Sequence, residues 1–182
     1  MLTSNIYNSI LEIRTLNKER KMLTRKILNF IQEIGTIMYV GGILSHIVIS
    51  NVLGHSDPLT ALNVYTYKEL SAYILILPGL GLKVLSDILL YRSFEEKPNW
   101  LKLKFLMIIF LTINAFVFLV PMMPELVELA NLSVEKGTLS QEFLDTAQTE
   151  AIVGASNAIP LLLEILLGSF KPKLFSEKNT YK

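Results

Sequence analysis

Glu33, Lys83, Asp87 and Glu164 are ionisable side chains set inside or at the edge of long apolar runs, and His46 and Asn114 lie within two of the same runs. A charge in such a place is costly, so it marks a binding site, a relay or an internal ion pair. Lys83 and Asp87 stand four residues apart and share one helical face. If the runs cross a bilayer in alternation, Glu33, Lys83, Asp87 and Glu164 fall at a similar depth on one side, with Asn114 near the midplane. Three carboxylates would then surround one lysine. They could not all stay charged in a low dielectric unless one took a proton or a cation or basic ligand joined them. The expected site is a polar pocket that binds a proton, a cation or a small polar ligand. The plainer alternative is structural: Lys83 pairs with Asp87 or Glu164 to hold helices together, and Glu33 sits among headgroups beside Arg25 and Lys26.

His46 admits a second chemistry. An imidazole inside a bundle can be an axial haem ligand or a copper ligand. The other histidine, His55, follows the same run, so the two do not supply a haem from different helices of one chain. A haem held by His46 and a methionine, or shared across a dimer, stays open beside an interhelical hydrogen bond. The chain has no cysteine, which excludes disulfides and thiolate chemistry. It shows no HExxH, no phosphate-binding glycine loop and no Gly-x-Ser-x-Gly, so the reading leans away from an enzyme.

Four runs must position these residues. A spanning helix needs about 20 mostly apolar residues. Residues 34–53, 70–91, 105–123 and 151–170 meet this in a chain of 182 residues that is 51% hydrophobic. The expected fold is an all-α membrane protein, a four-transmembrane-helix bundle over residues 34–170. An amphipathic interfacial helix (1–33) precedes it and a tail (171–182) follows. Within 5–33, Ile6, Ile10, Ile13, Leu16, Leu23, Ile27, Phe30 and Ile31 recur at helical spacing against a basic face.

Orientation follows from loop charge. Of the 17 Lys and Arg residues, fourteen lie in the first segment, the second loop and the tail, while Lys68 and Lys136 are alone in the other two loops. The positive-inside rule puts both termini on the cytoplasmic side. Eight acidic residues make the opposite face negative. The third loop is expected to hold a short helix at 124–132 and a second one beginning after Ser140, an N-cap. Gly35, Gly42 and the pair Gly41/Ser45 offer small contact points along the first span, and Gly154 and Ala158 do so on the fourth. Pro78, with Gly79 and Gly81, and Pro160 are expected to interrupt the second and fourth spans.

The first span, FIQEIGTIMYVGGILSHIVI, resembles the first helix of the copper-resistance-D-like superfamily of small bacterial membrane proteins, through Gly35, Gly41 and Gly42. ILPGLGLKVLSDILL, WLKLKFLMIIFLTINAFVFLVP and the closing Phe170-Lys171-Pro172 are similar to an uncharacterised branch of it. The resemblance covers roughly residues 28–172 and implies a four-helix inner-membrane protein. Gln32 replaces the family's histidine, so the family's haem or metal chemistry is not carried over. Three functions compete: ligand binding or transport support at the charged cluster, redox chemistry at His46, and a partner-subunit role. The lipid bilayer and a membrane-protein partner or second copy are the expected partners. A net charge of +1 gives no reason to expect nucleic acid.

Overall fold

The structure is a computed structural model. It describes the backbone of residues 2–54 and 56–174, and side chains at 12, 15, 16 and from 19 onward apart from His55. His55, Lys178 and Lys182, and the side chains of Ile6, Ile10, Ile13, Arg14 and Lys18, lie outside the described residues.

Among the described residues there are four long helices: α1 (Leu2–Leu53), α2 (Pro58–Ser93), α3 (Asn99–Lys136) and α4 (Gln141–Phe170). Each contains a stretch long and apolar enough to cross a membrane. The fold is the all-α four-helix bundle read from the sequence. Many large apolar side chains face outward, including Ile37, Val52, Ile159 and Phe170, as expected where lipid rather than water is the solvent.

The helices exceed the apolar runs because loop-like sequence continues them. Asp57 caps α2 by accepting from the Thr60 amide, and Pro58 fills the first helical position, where its missing N–H costs nothing. No separate helix forms at 124–132. Instead α3 continues to Lys136 and ends on Gly137 in the left-handed region. Ser140 does cap α4, accepting from the Phe143 amide. Ser140→Ala should lower the unfolding free energy by about 1 kcal/mol, measurable as a shifted thermal transition in detergent; an unchanged transition would contradict the cap. The amphipathic segment runs directly into the first span within one helix. It is the N-terminal half of α1, held to the α2–α3 loop by Arg25, which donates to the Ser93 carbonyl at 2.7 Å and lies over the Phe94 ring.

Prolines account for the irregular turns. A proline at position i clashes with the carbonyl at i−4. Ahead of Pro78 the helix widens into a π-turn at Ala72–Ile76, and ahead of Pro121 into another at Ala115–Leu119. Ahead of Pro160, α4 turns at Asn157.

α1 packs along α2, the first half of α2 on the second half of α3, and the first half of α3 on the end of α4. α1 and α2 cross at Gly35 and Gly79. A Cβ on Gly79 would stand 2.6 Å from the Tyr39 backbone nitrogen, and one on Gly35 would stand 2.8 Å from the Gly79 carbonyl oxygen. A Cβ on Gly42 would stand 2.5 Å from Cγ1 of Ile76, whereas one on Gly41 meets nothing. Three apolar clusters follow one another along the bundle: Trp100, Leu101 and Leu167 near the α2–α3 loop; Tyr39, Leu80, Ile108, Leu111 and Leu161 centrally; and Tyr65, Leu126, Ala130 and Phe143 at the far end. By the loop charges, the end holding the α2–α3 loop is the basic end and the other the acidic end.

Candidate functional site

A buried charge network lies between the central cluster and the basic end. Lys83 of α2 donates to Glu164 Oε2 at 2.6 Å and to Thr36 Oγ1 at 2.8 Å. Lys104 of α3 donates to Asp87 Oδ1 at 2.7 Å, and its Nζ lies 3.5 Å from Glu164 Oε1. Gln32 of α1 donates to the same Oε1 at 3.2 Å. Lys83, Asp87, Lys104 and Glu164 are each 2% exposed or less. All four helices contribute, and Gly168 leaves room for Lys104, whose Cε would lie 3.4 Å from a Cβ there.

The expected trio around one lysine takes a different form. Lys83 and Asp87 share a face of α2 but reach different neighbours, Lys83 toward α1 and α4 and Asp87 toward Lys104 of α3. Glu33 is exposed and stands outside the network. Lys104, read above as a loop charge, enters it. Two ammonium groups therefore face two carboxylates, and the formal charge balances. That removes the excess negative charge that would have called for a bound cation. Among these buried side-chain atoms, Asp87 Oδ2 lacks a hydrogen-bond partner.

A cavity of about 580 Å³ opens beside the network, between α1 and α4 at the basic end. Asn29, Gln32, Glu33 and Thr36 line one wall; Glu164, Ser169 and Lys171 belong to the other. Glu33 thus keeps a place near the cluster, as part of the cavity wall.

Asn114 sits at mid-bundle and donates to Asn157 Oδ1 at 2.6 Å and to Ser156 Oγ at 3.1 Å. It ties α3 to the bend in α4. His46 lies nearer the acidic end, where Nε2, a nitrogen an axial ligand could use, is hydrogen-bonded to Ser71 Oγ. Among the described residues no group of three His, Cys, Asp or Glu side chains is arranged to hold a metal. One buried pair was not expected from the sequence: Lys68 donates to Glu150 at 2.7 Å and lies over the Tyr65 ring.

The sequence did carry a signal for both missed lysines. Lys104 continues the stripe Leu101, Ile108, Leu111 and Ala115, and Lys68 continues Ala61, Val64 and Tyr65. A lysine on a stripe of that period is placed inward, whatever the charge of its loop.

No protein-family model, curated protein or solved structure matches this chain.

Proposed function

We propose that this is a small multi-pass protein of a bacterial inner membrane, with both termini in the cytoplasm, that binds a small polar ligand in the cavity beside Glu164. The observation that carries the reading is that polar cavity, which brings Asn29, Gln32, Glu33, Thr36, Glu164 and Lys171 to one space at the basic end. The positive-inside rule turns that end toward the cytoplasm.

The charge balance selects the ligand class. Glu164 and Asp87 already hold Lys83 and Lys104, so a bare metal cation would have to displace an internal partner. Glu33 and Lys171 are exposed residues of opposite charge in the cavity wall. They suit a ligand with a cationic donor at one end and an acceptor at the other, with Asn29 and Gln32 to orient it. A transport-supporting role is compatible with such a site. The motif resemblance to the copper-resistance-D-like group supports the membrane setting and adds no ligand. The exposed apolar stripe of Leu16, Leu23, Ile27 and Phe30 on α1 offers a bilayer surface or a second protein something to hold.

The test is a thermal-shift series on detergent-purified protein with glycine, β-alanine, ethanolamine and putrescine. A saturable rise in the transition is expected with at least one zwitterion, and it should disappear in Glu33→Gln and Asn29→Leu. Absence of any saturable shift, or a shift that survives both substitutions, refutes the reading.

A further inference from the structure

A second and larger cavity, about 730 Å³, lies toward the acidic end between α1 and α4. That volume is in the range of ligand sites. It follows α1 from Tyr39 to Asn51, roughly 18 Å at the rise of an α-helix, so it is elongated. Its wall is mainly apolar, from Val40, Ile43, Leu119, Leu161 and Leu162 among others. Its charged groups, Lys68 and Glu150, reach it with His46 toward the acidic end, and Tyr39 and Asn157 add polar atoms farther along.

Three features set this space apart from a chance gap between helices. Both π-turns and the bend of α4 contribute to its wall, through Ala72, Ala115 and Asn157. Helix irregularities of this kind are frequent at functional sites. The charged groups in the wall are already matched, since Lys68 and Glu150 hold each other at 2.7 Å. And α1, which packs closely on α2, does not pack closely on α4. In a bilayer, that seam gives the hydrocarbon region a lateral way in.

We infer that this cavity binds a single-chain amphiphile taken from the bilayer, with its apolar chain along α1 and α4 and an uncharged hydrogen-bonding head at the Lys68–Glu150–His46 end. An elongated apolar wall fits a chain better than a compact solute. A charged head would have to break the Lys68–Glu150 pair or remain uncompensated beside it, which a buried site penalises. A head with a hydroxyl or carbonyl can share the existing donors and acceptors. The inference rests on the chain spanning a bilayer and is independent of the polar cavity beside Glu164.

Gly154 provides the test. It lines the cavity, and a Cβ placed on it meets nothing within 4 Å. Binding of a pyrene-labelled long-chain alcohol to protein in nanodiscs should be saturable. It should weaken by roughly tenfold or more in Gly154→Phe and stay unchanged in Ile159→Phe, an outward-facing position on the same helix outside the cavity wall. The corresponding pyrene-labelled carboxylic acid should bind more weakly than the alcohol. Ala147→Leu, a smaller intrusion into the same cavity, serves if Gly154→Phe does not fold. Competition by mono-oleoylglycerol or by a decyl-substituted benzoquinone would separate an acylglycerol-type head from a quinone-type head. Unsaturable uptake, equal binding by the cavity-filled and wild-type proteins, tighter binding of the acid, or no competition by either compound would overturn the inference.

Discussion

Glu164→Leu is expected to lower the unfolding free energy by about 3–5 kcal/mol, the cost of removing one partner from a buried ion pair. The substitution takes the 2.6 Å partner from Lys83 and the 3.5 Å neighbour from Lys104. Lys104 keeps Asp87 at 2.7 Å, but Lys83 is left with the Thr36 hydroxyl at 2.8 Å. The loss therefore concentrates on Lys83. The paired substitution Lys83→Met with Glu164→Leu removes both charges and leaves Lys104–Asp87 neutral as a unit. It should recover most of the stability, because a buried ion pair replaced by apolar groups of similar volume is often neutral or better. Chemical unfolding of the four members of this double-mutant cycle measures the coupling directly. If the double variant is as unstable as the sum of the singles, Lys83 and Glu164 do not act as a pair.

That result would also separate stability from function at the same place. Glu33 and Asn29 line the neighbouring cavity and take no part in the hydrogen bonds and ion pairs that join Gln32, Thr36, Lys83, Asp87, Lys104 and Glu164. Their substitutions should leave unfolding near wild type while removing the ligand-induced shift. If Glu33→Gln destabilises the protein as Glu164→Leu does, the cavity is part of the structural network and its proposed ligand loses support.

Much of the bundle was legible because bilayer physics is demanding: apolar length and the alternation of basic loops are enough to place four spans. The Gly35 contact was legible too, since a small residue on a spanning helix implies a close neighbour. What the sequence hid was which neighbour. Lys83 and Asp87 share a face of α2, yet that face borders three helices, and each side chain chose a different one. The loop boundaries failed for another reason. Hydropathy marks where lipid ends, not where a helix ends. Helix starts at Asp57-Pro58, Pro98-Asn99 and Ser140 carry helix through polar sequence, and so Lys68, Lys104 and Glu150, loop charges by hydropathy alone, each lie on a buried helix face. The π-turns follow from Pro78 and Pro121 once the upstream carbonyl clash is considered. The turn at Asn157 follows from Pro160 in the same way.

Gly79→Ala should be the most damaging single methyl group in the protein. Its Cβ would stand 2.6 Å from the Tyr39 backbone nitrogen, 2.9 Å from the Gly35 carbonyl oxygen and 2.9 Å from the Met38 Cβ. Two of these three atoms are backbone, so no rotamer change relieves the overlap; α1 must move away from α2. Overpacking of this kind costs about 1–3 kcal/mol or more. Gly81, two residues on, is the control. A Cβ there meets nothing within 4 Å, and alanine in a helix interior is favoured over glycine by about 1 kcal/mol, so Gly81→Ala should hold or raise stability. The two alanine variants are thus expected to move the unfolding transition in opposite directions. Displacing α1 would also shift Thr36 from Lys83, and Tyr39 from the central apolar cluster that lies between the two cavities. Ligand-induced shifts at the basic end and alcohol binding toward the acidic end should therefore weaken together in Gly79→Ala. If Gly79→Ala is as stable as Gly81→Ala, α1 and α2 do not cross at this pair of glycines, and both cavities lose the wall that α1 supplies.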